Sequence, residues 1–374
     1  MITASILYDY LQCPHRVHMD RFGNAGDRDG VSPFIELLWK RGTAYERKVI
    51  ESLDIPFLDL SAIEDNDERE KATRRALEAG EGLIYHGRLT VDNLRGEPDL
   101  LRRQNGGYVA GDIKSGAGVE GATDDSDGKP KKHYAAQLAL YTDLLERIGH
   151  AAGRTPFVWD IHGDEIVYQL DEPQGKRTPE TWWQLYERVR DEAVPIAAGD
   201  QATLPALSSI CKLCHWRTVC KNSLQKTDDL TLIPELGRAK RDALLGGVDC
   251  VAKMAAANIA TLPKIKGIGE KSLKKFQARA QLQVTADASP YLLEPLNLPE
   301  ADKELHFDIE TDPMRDIVYM HGFVERTGRD NATERYVVFV AEQPTPEEER
   351  RAFAAAWEFV QAAAPCVLYY YSPF

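Results

Sequence analysis

Two aspartates and a lysine in the stretch GEPDLLRRQNGGYVAGDIKSG have a spacing that suits chemistry on phosphate groups. Asn105-Gly106 is a strong signal for a two-residue β-hairpin turn, and this turn would place Asp99 directly opposite Asp112. Like charges that face each other destabilise a sheet, and a divalent cation between the two carboxylates would offset the repulsion. Lys114 follows Asp112 by two residues and therefore projects from the same face of the strand.

These three side chains together predict a hydrolytic site. The two carboxylates would hold Mg²⁺ or Mn²⁺, which polarises a phosphate and acidifies a water molecule. Lys114 would orient that water or stabilise the developing negative charge. A turn at Gly106-Gly107 is the alternative, because it shifts the strand pairing and puts Asp99 opposite Lys114 in an ordinary salt bridge.

The order of these groups along the chain resembles the RecB-like branch of the PD-(D/E)xK nucleases. Pro98-Asp99 corresponds to the PD of the motif, and Asp112-Ile113-Lys114 corresponds to its D-x-K. The resemblance implies an α/β nuclease core with a mixed sheet. It also implies metal ligands at both aspartates and hydrolysis of phosphodiester bonds in DNA by an exonuclease.

Two further elements of the same family have counterparts in this chain. The family's next helix carries Gln and Tyr four residues apart, as Gln137 and Tyr141 are here, and the resemblance implies that they contact substrate or brace the site. Its preceding helix carries a Gly followed by a His-Glu pair. Gly42 is present, but Tyr45 stands where the His would be, so the resemblance implies Glu46 as an upstream metal ligand without the usual histidine.

Cys211, Cys214 and Cys220 form a C-x₂-C-x₅-C pattern that could bind metal through thiolates. RecB-like nucleases with an iron–sulfur cluster, including CRISPR-associated exonucleases, resemble this arrangement, with one cysteine before the nuclease core and three after it. The resemblance implies a [4Fe–4S] cluster held by these three residues and Cys13, which closes the nuclease domain end to end. The alternative is Zn²⁺, bound by the three cysteines with Cys13 or His215.

The stretch LPKIKGIGEKSLKKF is strongly basic in a chain whose net charge is −13. It resembles a helix-hairpin-helix motif, and IPELGRAKRDALL resembles a weaker first copy. The glycines of the turn would let backbone N–H groups approach a phosphate of DNA, and the lysines would add charge. A basic helix face that only contacts solvent is the alternative. The implied DNA-binding residues are Gly267, Gly269, Lys271, Lys274 and Lys275.

The stretch LHFDIETDP places Asp308 and Glu310 on one face of a predicted strand. It resembles the first motif of the DnaQ-type exonucleases, which have the RNase H fold and bind metal through this acidic pair. Such domains need further acids later in the chain, but only an acidic helix and an apolar strand follow here. We therefore expect a partial RNase H-like α/β domain whose metal site is incomplete.

The elements that position these groups follow from the pattern of apolar residues. Alternating helix and strand patterns predict a nuclease domain over residues 1–225, with ASILYDYLQCPHRVHMDRFG as one helix and EGLIYHGRLTVDN as one strand. Short helices broken by Gly and Pro predict an all-α helix-hairpin-helix module over residues 226–296, and the RNase H-like part covers residues 297–374. Residues 118–132 are polar and Gly-rich, which predicts a flexible loop.

Composition limits the class of protein. The chain has 374 residues, of which 43% are hydrophobic, and this is enough for more than one globular core. No stretch approaches the about 20 apolar residues of a membrane span, and the N-terminus lacks a signal-peptide pattern, so we predict a cytoplasmic protein without a membrane partner. A non-catalytic nucleic-acid-binding protein with a degenerate nuclease fold is the alternative to the nuclease.

Overall fold

The structure is a computed structural model in which the chain forms two compact units, Met1–Ser289 and Pro290–Phe374. Each unit is described by itself, and the three domain boundaries predicted from the sequence stay a prediction. Of the loop predicted at residues 118–132, residues 122–127 lie outside the described residues. The loop prediction is wrong for its ends, where Val119–Glu120 and Lys129–Pro130 pair as two short antiparallel strands. The structure describes the whole chain except residues 122–127, 175–178, 263, 290, 293, 313–314, 316 and 372–374.

The helices of the first unit begin where a side chain can accept a backbone N–H group, as Ser32, Asp65 and Thr181 do. Thr181 forms a full capping box with Gln184. In the described part of this unit the α-helices are α1 (Ala4–Gln12), α2 (Pro14–Phe22), α3 (Pro33–Glu51), α4 (Asn66–Ala79), α5 (Lys132–Arg147), α6 (Trp182–Ala198), α7 (Arg217–Lys226), α8 (Gly237–Leu244), α9 (Val251–Ala256) and α10 (Glu270–Val284).

The single helix predicted at the N-terminus is wrong, because the segment forms two helices, α1 and α2, on either side of Cys13. Pro14 has no N–H group with which to continue α1, and it occupies the first position of α2, where that loss costs nothing. Cys13 consequently has an extended backbone, with φ −164° and ψ 106°. The break therefore leaves Cys13 as an extended residue between two helices.

The strands of the first unit form a mixed main sheet and two smaller sheets. They are β1 (Ile2–Thr3), β2 (Leu58–Asp59), β3 (Leu83–Tyr85), β4 (Leu89–Val91), β5 (Leu94–Gly96), β6 (Leu100–Gln104), β7 (Gly107–Ile113), β8 (Val119–Glu120), β9 (Lys129–Pro130), β10 (Phe157–Trp159) and β11 (Glu165–Val167). Within the described residues the main sheet has the order β11-β10-β7-β6-β3-β2. Its central strand β7 pairs antiparallel with β6 and parallel with β10.

Two hydrophobic cores cover the two faces of this main sheet. On one face, α5 packs against β7 and is itself covered by α1 and α6, around buried residues such as Leu138 and Leu144. On the other face, Ile50 at the end of α3 packs with Ile113 and Phe157. Alternate residues of β7 therefore point into different cores, and the sheet holds the end of β7 between two packed layers.

The β6–β7 hairpin has the register that favours a metal site. Asn105 and Gly106 both have positive φ, 49° and 83°, as a type I′ turn requires, and only residues without a demanding side chain adopt this conformation readily. From this turn onward β6 and β7 pair residue by residue without a bulge, which puts Asp99, one residue before β6, opposite Asp112. The predicted register is confirmed, and the alternative pairing of Asp99 with Lys114 is wrong.

The continuous strand predicted for EGLIYHGRLTVDN is wrong, because β3 and β4 belong to different sheets. The chain bends between them at His86, whose φ of 58° lies in the left-handed region that is uncommon for residues other than glycine. The backbone N–H of His86 donates to the carbonyl oxygen of Asp99 at 2.9 Å. The bend is thus held against the start of the β6–β7 hairpin.

Residues 230–280 of the first unit have a separate hydrophobic core, built from α8, α9 and α10. The turn before α10 is closed by a β-bridge between Ile265 and Ile268. Gly267 in this turn has φ 82°, and Gly269 directly precedes the first residue of α10. A tight turn therefore precedes α10, and the helix-hairpin-helix motif stays a prediction.

The second unit is a sheet with a helix on one face. It contains β12 (Lys303–Asp312), β13 (Ile317–Thr327), β14 (Asp330–Val340), α11 (Pro346–Ala363) and β15 (Cys366–Tyr370), which confirms the predicted order of elements. The sheet order is β14-β13-β12-β15, with β15 parallel to β12. In neither unit does the described part of the chain contain a helix that is both long and apolar enough to cross a membrane.

Candidate active site

Asp112 is a buried acid near the end of the central strand β7, and its side chain is only 2% exposed. The ammonium nitrogen of Lys114 lies 2.6 Å from its Oδ2. Among the described residues, however, neither carboxylate oxygen has a hydrogen-bond partner of good geometry. Burying a carboxylate that makes so few hydrogen bonds is costly, and a cation beside it would relieve that cost. The Asp112 oxygens therefore fit a metal ion.

Asp99 lies opposite Asp112, and its Oδ2 accepts a hydrogen bond of 2.8 Å from the backbone N–H of Ile113. Burial and the nearby Asp112 carboxylate raise the pKa of Asp99 well above its usual value. Burial would lower the pKa of Lys114, but the charges of Asp112 and Asp99 outweigh it and raise that pKa. The single charge of the Lys114 ammonium cannot balance two carboxylates. A divalent cation would balance the charge and allow both carboxylates to ionise.

A third acid approaches this place from α3. Oε1 of Glu46 accepts a hydrogen bond of 3.0 Å from the Tyr85 hydroxyl and lies 2.8 Å from Nε2 of His86. Burial alone would raise the pKa of Glu46, but these hydrogen bonds hold it below its ordinary value. Donor atoms of Glu46, His86 and Asp99 all lie within 4.8 Å of one another, close enough to share one metal ion. The structure thus brings Glu46 to the predicted hairpin.

His86 was not predicted as a site residue. Tyr45 occupies the helix position where the resembled family has a histidine, and its hydroxyl donates to the backbone carbonyl of Asp160. The imidazole of this site comes instead from the bend after β3. The signal that could have found it is a His-Gly pair within a predicted strand, in a chain that lacks the helical histidine.

Gln137 and Tyr141 lie on α5, next to the carboxylates. Nε2 of Gln137 donates to the Tyr141 hydroxyl at 2.9 Å, and Tyr141 is only 3% exposed. Burial, and after it the charges of Asp112 and Asp99, raises the pKa of Tyr141. Of the two roles implied for this pair, bracing the wall of the site is the one that such deep burial suits.

The four predicted thiols line one pocket. Cys13 comes from the break between α1 and α2, Cys220 lies in α7, and the other two come from the segment just before α7. Burial, followed by the neighbouring thiols, raises the pKa of Cys220 to about 12. A thiolate at this position therefore needs a cation beside it. The thiols of this pocket, named the cysteine pocket below, belong to Cys13, Cys211, Cys214 and Cys220.

The spacing of these sulfur atoms bears on which metal they suit. In the described chain no three of them lie within 4.8 Å of one another, since the group of Glu46, His86 and Asp99 is the only one that meets this limit. Four sulfurs around one Zn²⁺ would be about 3.8 Å apart, because Zn–S bonds are about 2.3 Å long and tetrahedral. His215, the alternative zinc ligand, lies 2.6 Å from Asp20 instead. No three of the four sulfurs are therefore already grouped as ligands of one Zn²⁺ in the described chain.

The predicted DNA-binding lysines are exposed on α10 but differ in their partners. Nζ of Lys275 lies 2.7 Å from Glu235, at the tip of the weaker first hairpin, and Nζ of Lys274 lies 2.7 Å from Glu270. Lys271 makes no ion pair with any described residue. No side chain caps the N-terminus of α10, so its first backbone N–H groups beside Gly269 can donate to a phosphate. The best anion site is therefore this helix N-terminus with Lys271.

Asp308 and Glu310 in the second unit are both exposed on one face of β12, as predicted. They line a shallow cavity with His306 and Tyr336. Among the described residues, no third His, Cys, Asp or Glu forms with them a group whose ligand atoms all lie within 4.8 Å of one another. Here the two carboxylates of the motif lack converging groups.

Comparison with known proteins identifies a family for the nuclease-like part. The family model described as the PD-(D/E)XK nuclease superfamily matches residues 34–221, just over half of the chain. The matched range contains Glu46, His86, the β6–β7 hairpin and α5, and it ends one residue after Cys220. No curated protein matches the chain.

Proposed function

Because the chain belongs to the PD-(D/E)XK nuclease superfamily, we propose that it is a metal-dependent nuclease of the RecB-like type that hydrolyses DNA, as an exonuclease. The observation that carries the proposal is the buried Asp112 carboxylate, which lies opposite Asp99 across the hairpin. Its Oδ2 lies 2.6 Å from the Lys114 ammonium, but neither oxygen has a hydrogen bond of good geometry from a described residue. A purely structural aspartate in a core would be better hydrogen-bonded, whereas a metal ligand keeps its oxygens available for the ion.

The residues of the site divide into metal ligands and a charge donor. Asp99, Asp112, Glu46 and His86 would hold Mg²⁺ or Mn²⁺, which supplies an acidified water and polarises the phosphate when bound. Lys114 stays charged beside the carboxylates and donates a hydrogen bond to the phosphate oxygen or to the attacking water. Its ammonium also lies 5.3 Å from the centre of the Tyr134 ring, which limits where it can swing.

The test uses the purified chain with end-labelled single-stranded and double-stranded DNA in Mn²⁺. We expect loss of label as mononucleotides or short products, no loss with a chelator, and no loss with Asp112→Asn. Release of internal fragments instead would make the enzyme an endonuclease. DNA that is bound but stays intact at all Mn²⁺ concentrations would support the alternative, a non-catalytic binding protein with a degenerate site.

For the cysteine pocket we propose a [4Fe–4S] cluster instead of Zn²⁺. The four thiols converge although Cys13 lies about 200 residues before the others, and in the described chain no three of them are grouped within 4.8 Å as the ligands of one zinc would be. Protein purified without oxygen should be brown and hold about four irons per chain. A colourless protein with one zinc would contradict this. Cys13→Ser should destabilise the chain more than Cys250→Ser, because Cys250 lies outside the pocket.

For residues 226–296 we propose a helix-hairpin-helix module that binds DNA phosphates independently of the DNA sequence. The free N-terminus of α10 and the exposed Lys271 support it. For residues 297–374 we propose a partial RNase H-like domain without activity of its own, because Asp308 and Glu310 have no third ligand in the described chain. We also propose that the protein works in the cytoplasm, in DNA repair.

A further inference from the structure

Arg238, on the first helix of the helix-hairpin-helix module, reaches the cysteine pocket. Its Nη2 donates to the sulfur of Cys13 at 3.1 Å, and its Nη1 donates to the carbonyl oxygen of Leu204 at 2.6 Å. Cys13 and Arg238 are 225 residues apart in the sequence. A cation of the module therefore contacts a sulfur ligand of the nuclease domain directly.

The contact of Arg238 is part of a wider attachment. Arg241, one turn further along α8 and only 1% exposed, donates through Nη1 to the carbonyl oxygen of Pro205 at 3.0 Å and to Asp229 at 2.7 Å. The backbone N–H of Leu207 donates to the Thr231 hydroxyl at 2.9 Å. Residues 204–207 are thus bound to the module immediately before the segment that carries Cys211.

Both terminal nitrogens of the Arg238 guanidinium are already used in these contacts. Arg238 is therefore poorly placed to bind DNA, although it lies in the first copy of the hairpin. That hairpin also carries Glu235 at its tip, which would repel a phosphate. A guanidinium that donates to a thiolate forms a charge-assisted hydrogen bond, stronger than a neutral one. Hydrogen bonds to cluster sulfurs and nearby charge also set the reduction potential of an iron–sulfur centre.

We propose that Arg238 is a positioning residue of the cysteine pocket, which ties the helix-hairpin-helix module to the iron–sulfur centre through Cys13. The centre then stabilises the placement of the DNA-binding hairpin as well as the closure of the nuclease domain. Loss of the centre releases the module at α8, so DNA affinity depends on an intact centre. This inference rests on the proposed [4Fe–4S] cluster.

The test compares Arg238→Gln and Arg238→Lys with Lys253→Gln, in the full chain purified without oxygen. Lys253 belongs to the same module and loses the same charge, but it pairs with the exposed Asp249 at 2.7 Å and does not line the cysteine pocket. Three quantities are measured: the reduction potential of the centre, the rate of iron loss to a chelator, and the affinity for DNA before and after that loss.

For Arg238→Gln we expect about four irons per chain, a lower reduction potential and iron loss about 10-fold faster than in the unchanged protein. Arg238→Lys should recover part of both effects, because an ammonium can still donate to sulfur, and Lys253→Gln should behave like the unchanged protein. DNA affinity of the unchanged protein should fall when iron is removed.

The outcomes separate this inference from the cluster proposal. Unchanged protein that is colourless and iron-free would overturn both. A brown unchanged protein whose potential and iron loss are the same in Arg238→Gln would overturn the role of Arg238 alone. Weaker DNA binding by Arg238→Gln at an unchanged potential would also overturn it, because Arg238 would then contact phosphate.

Discussion

Asp112 in the first unit and Asp308 in the second both lie on a strand, each with a second acid that the sequence makes conspicuous. Asp112 is buried and lies opposite Asp99, whose ligand atom forms one close group with those of Glu46 and His86. Asp308 is exposed, and Glu310 on its own strand is the acid that accompanies it in the described part of that unit. The contrast teaches that an acidic pair becomes a metal site only when other elements bring further ligands and exclude water.

Of these changes, Asp112→Asn should have the largest effect on activity. It keeps the shape of the side chain and removes the charge that a metal needs, so cleavage should fall by at least about 10³-fold. Mn²⁺ should raise the melting temperature of the unchanged protein and no longer that of the variant. Both are measured on the same preparation with end-labelled DNA and a thermal melt. Cleavage close to the unchanged rate would remove Asp112 from the site.

His86→Ala should show whether the imidazole after β3 is a ligand. We expect about 10- to 100-fold weaker metal binding, so that the Mn²⁺ needed for half-maximal cleavage rises and high Mn²⁺ restores the rate. Tyr45→Phe is the matched control, because its hydroxyl binds a backbone carbonyl and no ligand. A larger Mn²⁺ requirement in Tyr45→Phe than in His86→Ala would contradict our assignment of the histidine.

Lys271→Gln and Lys275→Gln compare a lysine that makes no ion pair with a described residue and a lysine that is already paired with Glu235. Lys271→Gln should weaken binding to all DNA sequences and reduce the log–log salt slope by about 0.7–0.9, the value of one lost phosphate contact. Lys275→Gln should change that slope little, because Lys275 contacts Glu235. DNA titrations at several salt concentrations measure both, and equal slopes in the two variants would contradict the distinction.

The double change Asp308→Ala with Glu310→Ala should have the smallest effect of all. Because these exposed acids have no third ligand in the described second unit, cleavage by the 374-residue chain should stay within about twofold of the unchanged rate. The same DNA assay as for Asp112→Asn measures it. A clear loss would show that the second unit takes part in catalysis and that the exposed pair acquires ligands we do not see.

The register of the β6–β7 hairpin could be predicted from the sequence, because the Asn105-Gly106 turn leaves few backbone choices and fixes every later pair. The end of α1 at Pro14 could also have been predicted from local sequence, although the amphipathic pattern on both sides concealed it. Such features depend on two or three neighbouring residues. They can therefore be predicted before any tertiary structure is known.

The rest depends on contacts between distant segments. His86 takes its left-handed backbone where β3 leaves one sheet for another, and only packing decides that bend. Lys275 is paired because Glu235, 40 residues earlier, lies on the facing hairpin. Arg238 meets Cys13 only after the module has docked. Apart from the His-Gly pair at the bend, the local sequence contains no signal for these contacts.

The helix break at Cys13 has a consequence for biosynthesis. Cys13 leaves the ribosome early, whereas its partners emerge about 200 residues later, which takes on the order of 10–40 s at typical elongation rates. During that interval the thiol is alone and can react with oxidants or with other nascent chains. Insertion of the proposed cluster would therefore have to wait until Cys220 has been translated. Chains that stop before Cys220 would lack the full set of ligands for it.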